Sequence, residues 1–111
     1  MKHVKLLLVV IAAGVSYSVS AAAVDGVAAK KMARRENCLR CHAVNRKKEG
    51  PSYESVAYKY KGKPEAVDKL IHHLTSGEKV KLSDGHWEKH EIVKTKDPAQ
   101  IRNLIEWILS R

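Results

Sequence analysis

Two cysteines and a histidine stand together in the run Cys38-Leu39-Arg40-Cys41-His42, and the 111-residue chain has no other cysteine. The spacing C-x-x-C-H is the one at which haem c is attached to protein. Two thiols three positions apart at a helix end can form thioethers with the two vinyl groups on one porphyrin edge. The next side chain, His42, is then turned under the ring to bind its iron axially. The sequence therefore predicts one covalently attached haem c.

Other uses of a cysteine pair fit this sequence less well. A zinc site needs two further ligands at suitable spacing, and the chain has no second cysteine pair. A thioredoxin-like redox pair belongs to a βαβ context, whereas the apolar residues here recur at helical spacing. A plain disulfide stays open as an alternative, although it would cross-link very little of the chain.

The amino terminus has the order of a secretory signal. Lys2 and Lys5 give it positive charge, residues 6–15 form an apolar run, and small residues follow over 18–23. The apolar run is too short to span a bilayer, and no stop-transfer pattern follows it. We therefore expect residues 1–23 to be a cleavable signal peptide.

Export and haem attachment support each other, because the thioether bonds of haem c are made on the outer side of the membrane. Cleavage after Ala23 leaves residues 24–111 as a single domain, and cleavage after Ala21 or Ala22 also fits. We expect a periplasmic protein with no stable membrane insertion after cleavage. An anchor that stays uncleaved is the alternative.

The composition suits a chain that builds its core around a cofactor. It contains no Phe and only two Trp, and a domain of this size has a marginal core without reinforcement. A haem would supply a large apolar plate. The formal net charge of +9 favours acidic protein partners through long-range steering. Nucleic acid is not expected as a partner, since the chain is exported and carries no nucleic-acid motif.

Apolar residues recur at helical spacing in four segments after the signal. Asp25 and Asp97 stand where helix N-caps belong, and Pro64 and Pro98 suit first turns. The predicted helices cover residues 25–37, 52–60 and 64–76, and a last one that follows Asp97.

The remaining segments are predicted to be loops. Residues 38–51 are polar and basic, and residues 79–95 contain an alternating stretch with a turn signal at Asp84-Gly85. A small hairpin is therefore possible before the last helix. The fold class is all-α, in one domain without repeats.

Short runs on both sides of the attachment motif carry a family resemblance. They are Lys30-Lys31, Asn37-Cys38, Cys41-His42-Ala43-Val44, Gly50-Pro51-Ser52-Tyr53, residues 56–62 and Trp107-Ile108-Leu109. On these residues the chain resembles the class I c-type cytochromes, the small bacterial monohaem type. The resemblance implies a cytochrome c fold of four to five helices around one covalently bound haem, with the first and last helices crossing. It also implies that the Pro51 carbonyl accepts a hydrogen bond from the His42 imidazole and so fixes the ring.

The chain departs from this resemblance at the sixth iron ligand, which such cytochromes usually supply as a Met in the loop before the last helix. Only Met1 and Met32 are present; the first leaves with the signal, and the second lies in the first predicted helix. We expect His90 to bind the iron, because it lies closest to the expected position counted back from the last helix. His86 is the rival, and Lys89 or an open site are further options.

Three other residues near this loop or in the preceding helix receive weaker predictions. Trp87 is expected to donate its indole N–H to a haem propionate, as a Trp in this loop often does in similar cytochromes, or to form an apolar plug beside the haem. His72 and His73, on either side of the apolar stripe of their helix, are expected to be solvated.

These expectations describe a one-electron carrier and not an enzyme, since no general base, nucleophile or substrate cleft can be named. A second imidazole in place of Met should lower the reduction potential. Four basic residues near the motif would orient an acidic redox partner; they are Arg40, Arg46, Lys47 and Lys48. The alternatives are a binder of diatomic gas at an open iron site and a haem subunit docked on a larger dehydrogenase.

Overall fold

The computed structural model describes residues 9–18 and 23–111. Residues 9–18 are exposed and contain neither helix nor strand. The rest of the expected signal peptide, residues 1–8 and 19–22, lies outside the described residues, so its cleavage stays a prediction. In the described ranges, no helix combines the length and apolar character that crossing a bilayer requires.

Five helices and one two-stranded hairpin make up the regular structure of the described residues. In chain order they are α1 (Gly26–Arg35), α2 (Cys38–Cys41), α3 (Tyr53–Tyr60), α4 (Ala66–Thr75), β1 (Lys79–Lys81), β2 (Trp87–Lys89) and α5 (Pro98–Leu109). The predicted helical class with a small hairpin before the last helix is therefore confirmed.

The outer helices begin at the residues that the sequence indicated. The Asp25 carboxylate accepts a hydrogen bond from the Ala28 backbone N–H at 3.0 Å, and Asp97 accepts one from the Ala99 N–H at 2.9 Å. Each bond satisfies an N–H that has no partner inside its helix. Pro98, which has no N–H to lose, occupies the first turn of α5.

Two predicted boundaries are wrong by a few residues. The segment expected to be loop from residue 38 begins instead with α2, which Asn37 precedes in the left-handed conformation at φ 61°. Asn tolerates this conformation better than most residues, and the chain turns there between α1 and α2. Helix α4 begins at Ala66, so Pro64 lies in the turn before it and not in its first turn.

Helix α5 forms the centre of the core, where it packs against α1, α3 and α4. Leu104 and Ile105 are fully buried on it, and burying such side chains contributes about 1.5–3 kcal/mol each. Two hydrogen bonds between Asp25 and Asn103 hold the start of α1 against α5. The Asp25 backbone N–H donates to Asn103 Oδ1 at 2.8 Å, and Asn103 Nδ2 donates to the Asp25 carbonyl at 2.9 Å. The crossing of the first and last helices is thereby fixed.

The hairpin follows α4 and is antiparallel. Its register pairs Lys79 with Lys89 and Lys81 with Trp87. Gly85 takes φ 94° in the connecting turn, a left-handed conformation that Gly adopts without steric cost. The predicted Asp84-Gly85 turn is therefore present.

Candidate haem site

A cavity of about 930 Å³ opens between α2, α3, α4, the hairpin and α5. This volume is near the upper end of the range for ligand pockets, about 300–1,000 Å³. Apolar side chains of α5 line one wall, and the attachment motif and the loop after the hairpin line others. The residues that matter for chemistry are Cys38, Cys41, His42, Tyr53, His73 and His90. The cavity thus collects most of the predicted site residues.

Cys38 and Cys41 are half-buried at the two ends of α2 and form no disulfide with each other. Burial raises the pKa of the Cys38 thiol above its ordinary value. The nearby Tyr53 hydroxyl is buried, and within the described residues no partner reaches it with normal hydrogen-bond geometry. Burial, with a smaller effect of Cys38, raises the pKa of Tyr53 as well. A buried polar group without a partner is costly, so the Tyr53 hydroxyl is available to a group bound in this cavity.

The ring of His42 is oriented by the loop that follows the motif. His42 leaves α2 in an extended conformation, and its Nδ1–H donates to the Pro51 carbonyl oxygen at 2.7 Å. This bond fixes the tautomer and leaves Nε2 free to bind a metal. The structure therefore places Pro51 where the sequence expected it to act.

Gly50 is a site residue that the sequence indicates only through the family resemblance. A Cβ atom built at this position would lie 2.5 Å from His42 Cε1 and 2.9 Å from its Nδ1. Since those distances are far below van der Waals contact, only a residue without a side chain allows the ring to lie here. A glycine directly before the proline was the available signal.

His90 is held from two sides in the segment that follows β2. Its backbone N–H donates to the Glu78 carbonyl at 2.9 Å, and its Nδ1–H donates to the Glu91 carbonyl at 2.9 Å. As at His42, the bond at Nδ1 leaves Nε2 free. Burial lowers the pKa of both His42 and His90 below the ordinary value, so both rings favour the neutral form that binds metals.

The rings of His42 and His90 lie 6.2 Å apart between centroids, with their planes tilted by 53°. Both rings line one cavity, and each has its Nδ1 atom hydrogen-bonded to a backbone carbonyl. His42 and His90 are therefore the residues that would hold the iron of a haem in this cavity.

His86, the rival ligand, lies in the hairpin turn with both ring nitrogens bound to carboxylates. Its Nε2 is 2.9 Å from Glu88 Oε1, and its Nδ1 pairs with Asp84. These contacts, Glu88 first, raise the pKa of His86. The ring is half exposed and does not line the cavity. An imidazole with both nitrogens engaged by carboxylates is a poor metal ligand.

The other predicted residues lie at the edge of the site. Trp87 is 62% exposed in β2 and is not part of the cavity wall, so a bond from its indole to a propionate stays a prediction. Lys89 lines the cavity mouth and is exposed. His72 is 68% exposed, as expected.

His73 was expected to be solvated, and this prediction is wrong. Its ring lies 4.0 Å from the ring of His90 between centroids, and its side chain is only 29% exposed. The Nδ1 atom of His73 hydrogen-bonds Glu78 at 2.5 Å. Because the chain reverses after α4, the end of that helix comes to lie beside the loop of His90, a contact that helical spacing alone does not indicate.

Comparison with known proteins identifies the family to which the chain belongs. Residues 26–111 match the family described as Cytochrome c. Cytochrome c-552 of Hydrogenobacter thermophilus is 32% identical over 111 residues, which cover 99% of this chain and 98% of that protein. The crystal structure of class 1 cytochrome MtoD from Sideroxydans lithotrophicus ES-1 is 56% identical with a TM-score of 0.77, covering 79% of this chain and 97% of that one.

The structure of Nitrosomonas europaea cytochrome c552 is also similar, at 26% identity and a TM-score of 0.57 over 73% of this chain and 96% of that chain. The chain belongs to the cytochrome c family, as a small class I c-type cytochrome. It carries one covalently attached haem c with its iron, for which Cys38 and Cys41 are the cysteines available. It is a monohaem electron carrier and therefore exchanges electrons with redox partners.

Proposed function

We propose that this cytochrome is a periplasmic one-electron carrier, without enzymatic activity, whose haem iron is bound by His42 and His90. The observation that carries the proposal is the pair of rings 6.2 Å apart, each with Nδ1 bound to a backbone carbonyl. Both side chains line the same cavity. The chain offers no Met for the position, since Met32 is buried in α1 and Met1 lies in the expected signal peptide.

Different residues would attach the haem covalently, bind its iron and orient the iron ligands. Cys38 and Cys41 would attach it through sulfur, and His42 and His90 would bind the iron. When bound, haem supplies the redox centre, whose iron gains and loses one electron. Pro51 and Glu91 hold the two imidazoles in fixed orientations through their carbonyls, so little rearrangement accompanies a change of charge.

Two imidazoles stabilise the oxidised state more than one imidazole and a thioether do, because Met with His raises the potential. We therefore expect a lower reduction potential than in relatives with Met at the sixth position. Protein-film voltammetry on the purified holoprotein measures this directly. A potential equal to that of the Met-ligated relatives would count against His90.

Three alanine variants identify the sixth ligand. Resonance Raman spectra of the ferric holoprotein should show low-spin, six-coordinate iron in the wild type, in His86→Ala and in His73→Ala. His90→Ala should show high-spin iron. A low-spin spectrum that survives His90→Ala and is lost in either other variant assigns the ligand to that residue. High-spin iron in the wild type would indicate an open site and favour a binder of small gases.

Periplasmic export is tested separately, by the mass of the mature protein from the periplasmic fraction. We expect a chain that begins close to residue 24 and carries the mass of one haem. A protein that retains residue 1 and stays with the membrane fraction would contradict cleavage of the signal.

A further inference from the structure

The hairpin presents a basic face with a tryptophan beside the entrance to the haem cavity. Side chains alternate between the two faces of a strand, and directly paired residues share a face. The register therefore places Lys79, Lys81, Trp87 and Lys89 on one face, and Val80 with Glu88 on the other. We call the first set the lysine–tryptophan face. All four of its residues are exposed, Trp87 by 62%.

The lysines of this face have no acidic partner within the part of the chain that the structure describes. The acidic residues nearest in sequence are already engaged. Glu78 pairs with His73, Asp84 and Glu88 pair with His86, and Glu91 pairs with Arg40. The positive charge of the hairpin is therefore available to another molecule.

The pairing of Lys79 with Lys89 is itself unfavourable. Like charges directly opposite each other destabilise an antiparallel pair, and a two-stranded hairpin has little stability to lose. An acidic surface laid over this face would relieve the repulsion. The cross-strand pair is thus an observation, independent of net charge, that points to an anionic partner.

The basic residues near the attachment motif are less available than the sequence suggested. The Lys48 ammonium donates to the Leu39 carbonyl at 2.5 Å, and Arg40 lies 3.9 Å from Glu91. Two of those four charges thus have partners within the protein. The hairpin keeps all of its lysines free of such contacts in the described residues.

The position of the face also suits electron transfer. Lys89 is followed directly by His90, whose N–H donates to the Glu78 carbonyl beside β1. Residues from both faces of the hairpin line the cavity. A protein docked on the hairpin therefore lies one residue from the imidazole that contacts the cavity. Trp87 offers a large apolar surface within the contact, and Trp is enriched among residues that dominate interface energies.

We propose that the lysine–tryptophan face is the docking surface for an acidic redox protein, with Lys79 and Lys81 steering the encounter and Trp87 contributing the apolar contact. This inference rests on the proposed function, because it supposes that the partner exchanges electrons with the haem on the His90 side. An exposed carboxylate-rich surface is the chemistry that the partner must provide.

The test uses the holoprotein and a purified acidic flavodoxin as electron donor, with each encounter passing one electron from the reduced flavin to the oxidised haem. Stopped-flow measurements give the second-order rate constant at several salt concentrations. Lys79→Glu with Lys81→Glu should lower it at least about tenfold at low salt, and the deficit should shrink as salt screens the charges. Trp87→Ala should slow the reaction at every salt concentration, since its contact is apolar.

The matched control is Lys30→Glu with Lys31→Glu, which makes the same change in net charge on exposed positions of α1, a helix that does not line the cavity. It should lower the rate constant by no more than about two- to threefold. Equal slowing by both double variants would show an effect of net charge alone and overturn the proposal. An unchanged rate constant in the hairpin variant would also overturn the docking proposal. The lysines would then serve to keep the edges of the hairpin from pairing with strands of other molecules.

Two further measurements separate the remaining outcomes. Reduction by dithionite, a small reagent that needs no docking surface, should be the same in the wild type and in both lysine double variants. A wild type that takes up no electron from dithionite would defeat the proposed function itself. Co-sedimentation with phosphatidylglycerol vesicles should not depend on the hairpin lysines. If these substitutions abolish vesicle binding while the flavodoxin reaction is unchanged, the face binds lipid and the docking proposal is wrong.

Discussion

Replacing Gly50 by alanine tests whether the close packing under His42 orients its ring. The new Cβ would lie 2.5 Å from His42 Cε1, whereas ordinary contact begins at 3.4 Å. The ring must therefore retreat by about 1 Å, which strains the 2.7 Å hydrogen bond from Nδ1 to the Pro51 carbonyl. Overpacking of this kind costs about 1–3 kcal/mol, and the loss of the hydrogen bond about 0.5–1.5 kcal/mol more.

Thermal unfolding of the ferric holoprotein measures this cost. A loss of about 1.5–4.5 kcal/mol corresponds to a fall in Tm of at least about 6 °C for a domain of this size. The reduction potential should rise at the same time, because an imidazole without its hydrogen bond is a weaker donor to the iron.

Gly26→Ala is the matched control. Its Cβ would meet the Trp107 ring at 3.6 Å, an ordinary contact, so the Tm and the potential should stay close to those of the wild type. A Gly50→Ala protein with unchanged Tm and potential would refute the argument that this glycine makes room for the ring.

The remaining predictions concern the hairpin turn, the loop after it and the core. His86 should titrate in NMR spectra of the holoprotein with a midpoint above its ordinary pKa of about 6.5, because Glu88 and Asp84 raise its pKa. The ion pairs of His86 stabilise the fold at pH values below the ordinary pKa. This stabilisation is lost as the pH rises through the raised pKa of the folded protein. A His86 ring that does not titrate would indicate that it binds the iron. Glu36→Ala should destabilise the protein by about 1–3 kcal/mol in urea unfolding, since this buried carboxylate accepts the Lys94 N–H at 2.7 Å. Glu36→Gln should lose only part of this stability. Equal stability of both variants and the wild type would contradict the role. Leu104→Ala should cost about 2–5 kcal/mol because the side chain is fully buried, and a loss below about 1 kcal/mol would mean that α5 is not the centre of the core.

Local signals in the sequence predicted most of the fold. Asp25 and Asp97 cap their helices as expected, because a carboxylate satisfies an N–H in the first turn whatever the tertiary structure. The boundary errors arose where local signals compete. Pro64 suits a helix start, yet α4 begins two residues later, and the polar composition after Asn37 did not reveal the single turn of α2.

The site could be predicted only where sequence neighbours define it. The attachment motif lies within five residues, so its chemistry is readable from the sequence. The choice between His86 and His90 depends on which carboxylates and carbonyls their rings meet. Asp84 and Glu88 lie two positions to either side of His86 in the sequence, and these flanking carboxylates could have indicated its engagement. The packing of His73 against His90 joins α4 to a distant loop, and no local pattern shows it.

Ligation by two histidines is the central claim that remains to be tested, and pulsed electron–nuclear double resonance on the ferric holoprotein tests it most directly. With histidine as the one ¹⁵N-labelled residue type, the spectrum should contain strong ¹⁵N couplings from two axial imidazoles, and His90→Ala should remove one of them. A single ¹⁵N-coupled imidazole in the wild-type protein would contradict the claim.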